Sequence, residues 1–146
     1  MTKMIIFYGL RNFKLLSIFS LLLLTQCEFR QNRYHLYEKN ISKILDIDRY
    51  DKIFIVPFEG CGACIVTSVN YFKDNHKKDI GKALIFSSVK DVKKLRNEIG
   101  EEFLGSVNIF IDKNNYLGHS KIKSIYPQII FLHKGKIRDI KMVREL

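Results

Sequence analysis

Hydrophobic and polar positions fall along this chain in blocks with distinct periods. Lys52–Pro57 (KIFIVP) is a short apolar run rich in branched and aromatic residues, which predicts a buried strand. After Phe58-Glu59-Gly60-Cys61-Gly62-Ala63-Cys64, the residues Ile65, Val66, Val69 and Phe72 recur at helical spacing. A helix is therefore expected from Cys61, or next to it, to the neighbourhood of Asn75. Lys82–Ser88 (KALIFSS) predicts a second strand. Val89–Ile99 predicts a second helix, with Val92, Leu95 and Ile99 on one face. Val107–Asp112 (VNIFID) predicts a third strand, closed by the turn residues Lys113-Asn114-Asn115, and residues 116–126 read as a linker or short helix. Gln128–His133 (QIIFLH) and Lys136–Lys141 (KIRDIK) flank Lys134-Gly135, a hairpin signal. Upstream, Ile41, Ile44, Leu45 and Ile47 form a short amphipathic pattern, a helix or lead-in turn. Residues 28–40 mix aromatics with charges of both signs, as a tether or an early flank would.

The order is thus β-α-β-α-β-(α)-β-β, with no internal repeat. Strands alternating with helices imply parallel pairing through right-handed crossovers, and the closing hairpin adds antiparallel strands. The expectation is an α/β domain with a central mixed sheet of about four to five strands flanked by helices. In open α/β sheets functional groups gather beyond the carboxyl ends of the strands. Cys61 stands there, where the first core strand turns into its helix.

The beginning of the chain carries a different pattern. Residues 15–24 (LLSIFSLLLL) have no charge and only serine for polarity, and Lys3, Arg11 and Lys14 precede them. That is the layout of a signal peptide, residues 1–26, and the run is short of the about 20 apolar residues that span a bilayer. Leu24-Thr25-Gln26-Cys27 resembles the lipobox of bacterial lipoproteins, with Gln26 where a small residue is usual. The pattern gives a tether over residues 27–40 and a domain over 41–146, and an ordinary secretory signal with a chance cysteine, or an uncleaved anchor, are the other readings of the start. The resemblance implies acylation of Cys27. It places that domain in the cell envelope, anchored to the membrane through lipid and facing the periplasm or exterior, where disulfides persist.

Charge adds little to this picture. The formal net charge is +10, and the first 26 residues hold three basic residues and no acid, leaving 22 basic against 15 acidic residues, or +7. The lysines are dispersed and no nucleic-acid motif accompanies them, so the excess reads as a solvated basic surface with no nucleic-acid partner.

The candidate chemistry lies in the cysteines. A cysteine acts as its thiolate, and an ordinary thiol titrates near about 8.5, leaving little of it ionised at neutral pH. A helix N-terminus offers free N–H donors and a partial positive charge, both of which stabilise a thiolate at Cys61. Cys64, one turn later, has fewer such donors. Cys61 is therefore expected to attack and Cys64 to resolve the mixed disulfide. Gly62 and Ala63 are small and keep the attacking sulfur accessible. Three other uses of the pair compete. A zinc site needs four ligands, but the domain has no second cysteine pair and His76, His119 and His133 lack paired spacing, so no metal is expected. A structural disulfide across so short a loop removes little chain entropy. Copper capture suits thiolates, but no histidine is singled out as a partner.

Tyr126-Pro127 directly precedes QIIFLH. An X–Pro bond is the one peptide bond for which cis is inexpensive, and the other reading is a trans proline opening an edge strand.

With these segments together, the chain resembles the thioredoxin-like superfamily, especially the membrane-anchored thiol–disulfide proteins of the bacterial envelope. The resemblance is carried by KIFIVPFEGCGACIVTSVNYF, VNIFID and IYPQIIFLHKGKI and covers residues 50–142. It implies a thioredoxin-like fold, with Cys61 as nucleophile and Cys64 as resolving thiol, and the family's C-terminal helix is expected to be truncated here, the sequence ending at Leu146. It also implies Pro127 as a cis-proline that, with Tyr126, Gly62 and Ala63, meets the substrate. The family's tryptophan before the first cysteine is Gly60 here, and its buried acid is Ile55. The implied activity is thiol–disulfide exchange, as reductase or isomerase, on cysteine-containing envelope proteins. A membrane reductant or oxidant would recharge the pair, and no cofactor is needed. The rival is a non-enzymatic module that holds a peptide or copper with the same face.

Overall fold

The structure, a computed structural model, describes residues 31–60, 62–76, 81–118 and 122–143. The chain divides into a unit of residues 1–34 and a unit of residues 35–146. Of the first, only residues 31–34 are described, and they are helical. The second unit is an α/β domain built on a five-stranded mixed sheet in the order β3-β2-β1-β4-β5. The strands are β1 (Lys52–Pro57), β2 (Lys82–Ser87), β3 (Ile109–Ile111), β4 (Gln128–His133) and β5 (Lys136–Met142). β1, β2 and β3 run parallel, while β4 is antiparallel to β1 and to β5. The helices are α1 (helical through 31–41), α2 (Gly62–His76), α3 (Val92–Ile99) and α4 (Glu101–Leu104).

β1 and β2 are buried on both faces from their second residue onward, as the continuous apolar runs require of central parallel strands. Phe54 and Val56 of β1, with Leu84, Phe86, Ile109 and Ile129, face Ile65, Val69 and Phe72 of α2 and Leu95 of α3. Phe72 is fully buried and meets Phe54 edge-on at 5.5 Å and Phe103 at 6.3 Å between ring centres. The alternate positions, among them Ile53, Ile55, Ala83, Ile85 and Ile130, point to the opposite side. There Tyr37, Ile41, Leu45, Ile47 and Tyr50 are buried, from α1 and the short 3₁₀ turn Ile47–Arg49. The stretch 27–40 is therefore not a tether throughout. Residues 35–40 belong to the domain, because Tyr37 is 1% exposed and Asn40 6%.

Several boundaries moved for local reasons. The second helix begins at Val92 rather than Val89. Asp91 caps it, accepting from the backbone N–H of Lys93 at 2.8 Å and of Lys94 at 3.0 Å. Gly100 ends that helix, and α4 follows at once. The third strand shrinks to Ile109–Ile111. Val107 is exposed, and the buried Asp112 carboxylate accepts from the backbone of Tyr116 at 2.9 Å and Leu117 at 2.8 Å, capping the 3₁₀ turn Tyr116–Gly118. The hairpin between β4 and β5 is the two-residue loop expected, with Lys134 and Gly135 both at positive φ, 50° and 69°. β5 runs to Met142, and a carboxylate covers part of that edge strand, since Glu38 accepts from Ile137 N–H at 2.8 Å.

Candidate functional site

The candidate site begins where β1 leaves the sheet. Phe58 N–H donates to the Ser87 carbonyl at 2.8 Å, which extends the parallel pairing with β2 by one residue. Gly60 N–H then donates back to the Pro57 carbonyl at 3.1 Å, closing a tight turn. Glu59 points outward and pairs with Lys90 at 2.8 Å, on the loop between β2 and α3. This is a surface ion pair, worth about 0–1 kcal/mol, and it positions little by itself. The packing of Phe58 against the main core is the stronger hold on the turn.

Gly60 is the tightest point. A Cβ built there would overlap the Ile125 carbonyl oxygen and lie 3.0 Å from the Pro57 carbonyl oxygen. Both obstacles are backbone, so no side-chain rotation would relieve them. The stretch before β4 is thus pressed directly against the turn that precedes the cysteine pair. The tryptophan that the resemblance leads one to look for at this position has no room. Gly62 is the opposite case: a Cβ there would meet nothing within 4 Å.

Gly62 and Ala63 open α2 and are exposed, and Cys64 is half-buried in its first turn. The next turn ties this one down from inside. Ser68, 1% exposed, donates its hydroxyl to the Cys64 carbonyl at 2.7 Å, and Thr67 donates to the Ala63 carbonyl at 3.0 Å. Val66, one turn beyond Gly62, is 58% exposed. Cys61 lies outside the described residues, as do Cys27, the segment 1–26, His119 and residues 144–146.

Residues 122–127 form the other wall. Ile122 is buried, Ile125 is 57% exposed, Tyr126 is half-buried and Pro127 is buried. Ser124 shapes the bend, its hydroxyl donating to the Tyr126 carbonyl at 2.8 Å and lying 3.1 Å from Tyr126 N–H. The cis bond expected at Tyr126–Pro127 is absent: the bond is trans. Pro127 continues the extended chain into β4, its carbonyl accepting from Val143 N–H at 3.0 Å beyond the end of β5. Yet β4 is an interior strand, between β1 and β5, so the reading of an edge-strand proline is also corrected. Among the described residues no group of three histidine, cysteine or acidic side chains comes together as a metal site.

Two buried residues of this neighbourhood had no place in the sequence reading. Gln128 is 3% exposed and pairs across the sheet with Ile55, the position where the resemblance leads one to look for a buried acid. Its side-chain oxygen lies 2.7 Å from the Tyr37 hydroxyl, and the Ile122 carbonyl lies 2.9 Å from the same hydroxyl. A glutamine opening an otherwise apolar strand was a visible signal for the first. Nothing in the spacing marked Tyr37.

Compared with known protein-family models, curated proteins and solved structures, the chain matches none.

Proposed function

We propose that the protein is a thioredoxin-like thiol–disulfide exchange protein of the bacterial cell envelope, with Cys61 as nucleophile and Cys64 as resolving thiol. One observation carries the reading: Gly60, at the carboxyl end of the central strand and directly before Cys61-Gly62-Ala63-Cys64, is clasped by the backbone of the segment leading into β4. Three parallel strands joined to an antiparallel hairpin, with Gly62-Ala63-Cys64 opening the helix after β1 at the centre of the sheet, support the same reading.

In the proposed reaction the Cys61 thiolate attacks one sulfur of a partner disulfide. A mixed disulfide forms, and the other partner sulfur leaves as a thiolate that takes up a proton. Cys64, deprotonated, then attacks the Cys61 sulfur and releases the second partner thiolate. The partner gains two electrons, and the protein is left with a Cys61–Cys64 disulfide for a membrane reductant to reopen. The exposed Gly62, Ala63, Val66 and Ile125 offer small and apolar surface to a polypeptide. The same surface suits a module that only holds a peptide, and turnover separates the two. With dithiothreitol as reductant, the wild-type protein should accelerate insulin reduction and Cys61→Ser should fall to the uncatalysed rate. A wild type that shows no acceleration, or a variant that retains it, overturns the reading.

The envelope assignment rests on residues 15–27. In cells fed an alkyne-labelled fatty acid, the protein should become labelled and Cys27→Ser should abolish the label. Label surviving in the variant removes Cys27 as the acylation site. No helix among the described residues is long and apolar enough to cross a membrane.

A further inference from the structure

We infer that Tyr37 is a positioning residue that holds the segment 122–128 against the Gly60 turn, and so sets how a protein disulfide is received. The geometry is specific. Tyr37 sits on α1, 1% exposed, with its hydroxyl 2.9 Å from the Ile122 carbonyl and 2.7 Å from the Gln128 side-chain oxygen. Those two groups stand at opposite ends of one segment. Between them lie Ile125, whose carbonyl abuts Gly60, and the buried Pro127. One hydroxyl, with a single proton to give to either of these two acceptor oxygens, thus stands between both ends of the wall that touches the turn before Cys61.

The segment's internal bonds, from Ser124 to Tyr126, shape its bend, and the Pro127 carbonyl accepts from Val143 N–H at 3.0 Å. At its far end Gln128 is held in the sheet opposite Ile55 and Met142, while Ile122 has no strand partner. Tyr37 thus links Ile122, buried but outside the sheet, to the end held in the sheet. Its placement is in turn fixed by Ile41, fully buried one turn later on α1, and by neighbouring Glu38, which grips Ile137 of β5. A buried hydroxyl of this kind is expensive to lose, because its partners remain desolvated without it.

The catalytic part of this role presupposes the thiol–disulfide reading, so its test needs one arm that is independent of turnover. In Tyr37→Phe the ring remains and the hydroxyl that both oxygens face is lost. Amide hydrogen exchange should then quicken within residues 122–128 and around Gly60, and stay unchanged in β2 and α3. In steady state, KM for insulin should rise about tenfold with kcat within about twofold, while reduction of glutathione disulfide, too small to need the wall, should change less than about twofold. Gln128→Met, which keeps Tyr37 and removes one partner, should show the same pattern at smaller amplitude, and it decides the matter if Tyr37→Phe does not fold. Unchanged exchange in residues 122–128 overturns the inference. So does faster exchange spread evenly over the domain, or an equal loss on both substrates. If the wild type reduces neither substrate, the redox reading fails by itself, and hydrogen exchange alone then confirms or refutes Tyr37 as the clamp.

Discussion

Gly60→Ala should destabilise the protein by about 1–3 kcal/mol and slow its exchange with protein disulfides, although the substitution adds only one methyl group. The Cβ would intrude on the Ile125 carbonyl oxygen and crowd that of Pro57. Elsewhere an alanine in place of glycine gains about 0.4–1 kcal/mol by restricting the unfolded chain, where its native conformation is tolerated. Here the steric term exceeds that gain, because the obstacles are two backbone carbonyls belonging to a strand end and a pinned loop. Either the turn or the loop has to move, and both adjoin the cysteine motif. Urea unfolding gives the stability change, and insulin turnover at a temperature where both proteins are folded gives the functional one. An alanine variant as stable as wild type would show that the segment before β4 does not clasp this turn. Gly62→Ala is the control: with open space around its Cβ, it should leave stability within about 0.5 kcal/mol of wild type or slightly above it.

What could be read from the amino-acid pattern, and what could not, divides by range. Strands with both faces buried, such as KIFIVP and KALIFS, announce themselves because the run of apolar residues is itself the requirement for a central position. The Lys134-Gly135 hairpin was legible for the same local reason, a two-residue loop needing two positive φ values. Boundaries beside a capping carboxylate slipped, by three residues at Asp91 and by one at Asp112, since periodicity does not register which aspartate turns back on the chain. The contacts that build the candidate site were hidden because each joins distant parts of the chain. Tyr37 reaches Gln128 across 91 residues, and Gly60 is held by Ile125. The small residue before the cysteine looked like a departure from the thioredoxin pattern. In the structure it is the residue that the close approach of the next segment demands. The isomer of Tyr126–Pro127 was beyond reach for another reason: the intrinsic difference between cis and trans is only about 0.5–1 kcal/mol, and tertiary surroundings decide it.

Cys64→Ser should turn the protein into a trap. In the proposed exchange the second step would then lack its nucleophile, and a mixed disulfide between Cys61 and its partner would persist until an outside thiol reached it. The half-buried position of Cys64, in a turn fixed by Ser68, makes serine a mild change for the fold. Loss of turnover in this variant would therefore be chemical rather than structural. The most direct measurement is to express Cys64→Ser in its own cells, quench with acid and an alkylating agent, and identify by mass spectrometry the proteins joined to it by a reducible bond. The expected result is a small set of envelope proteins linked through Cys61, absent from Cys61→Ser/Cys64→Ser and sparse in wild type. A Cys64→Ser protein that carries no partner on Cys61, or one whose adducts survive the loss of Cys61, would contradict thiol–disulfide exchange at this site.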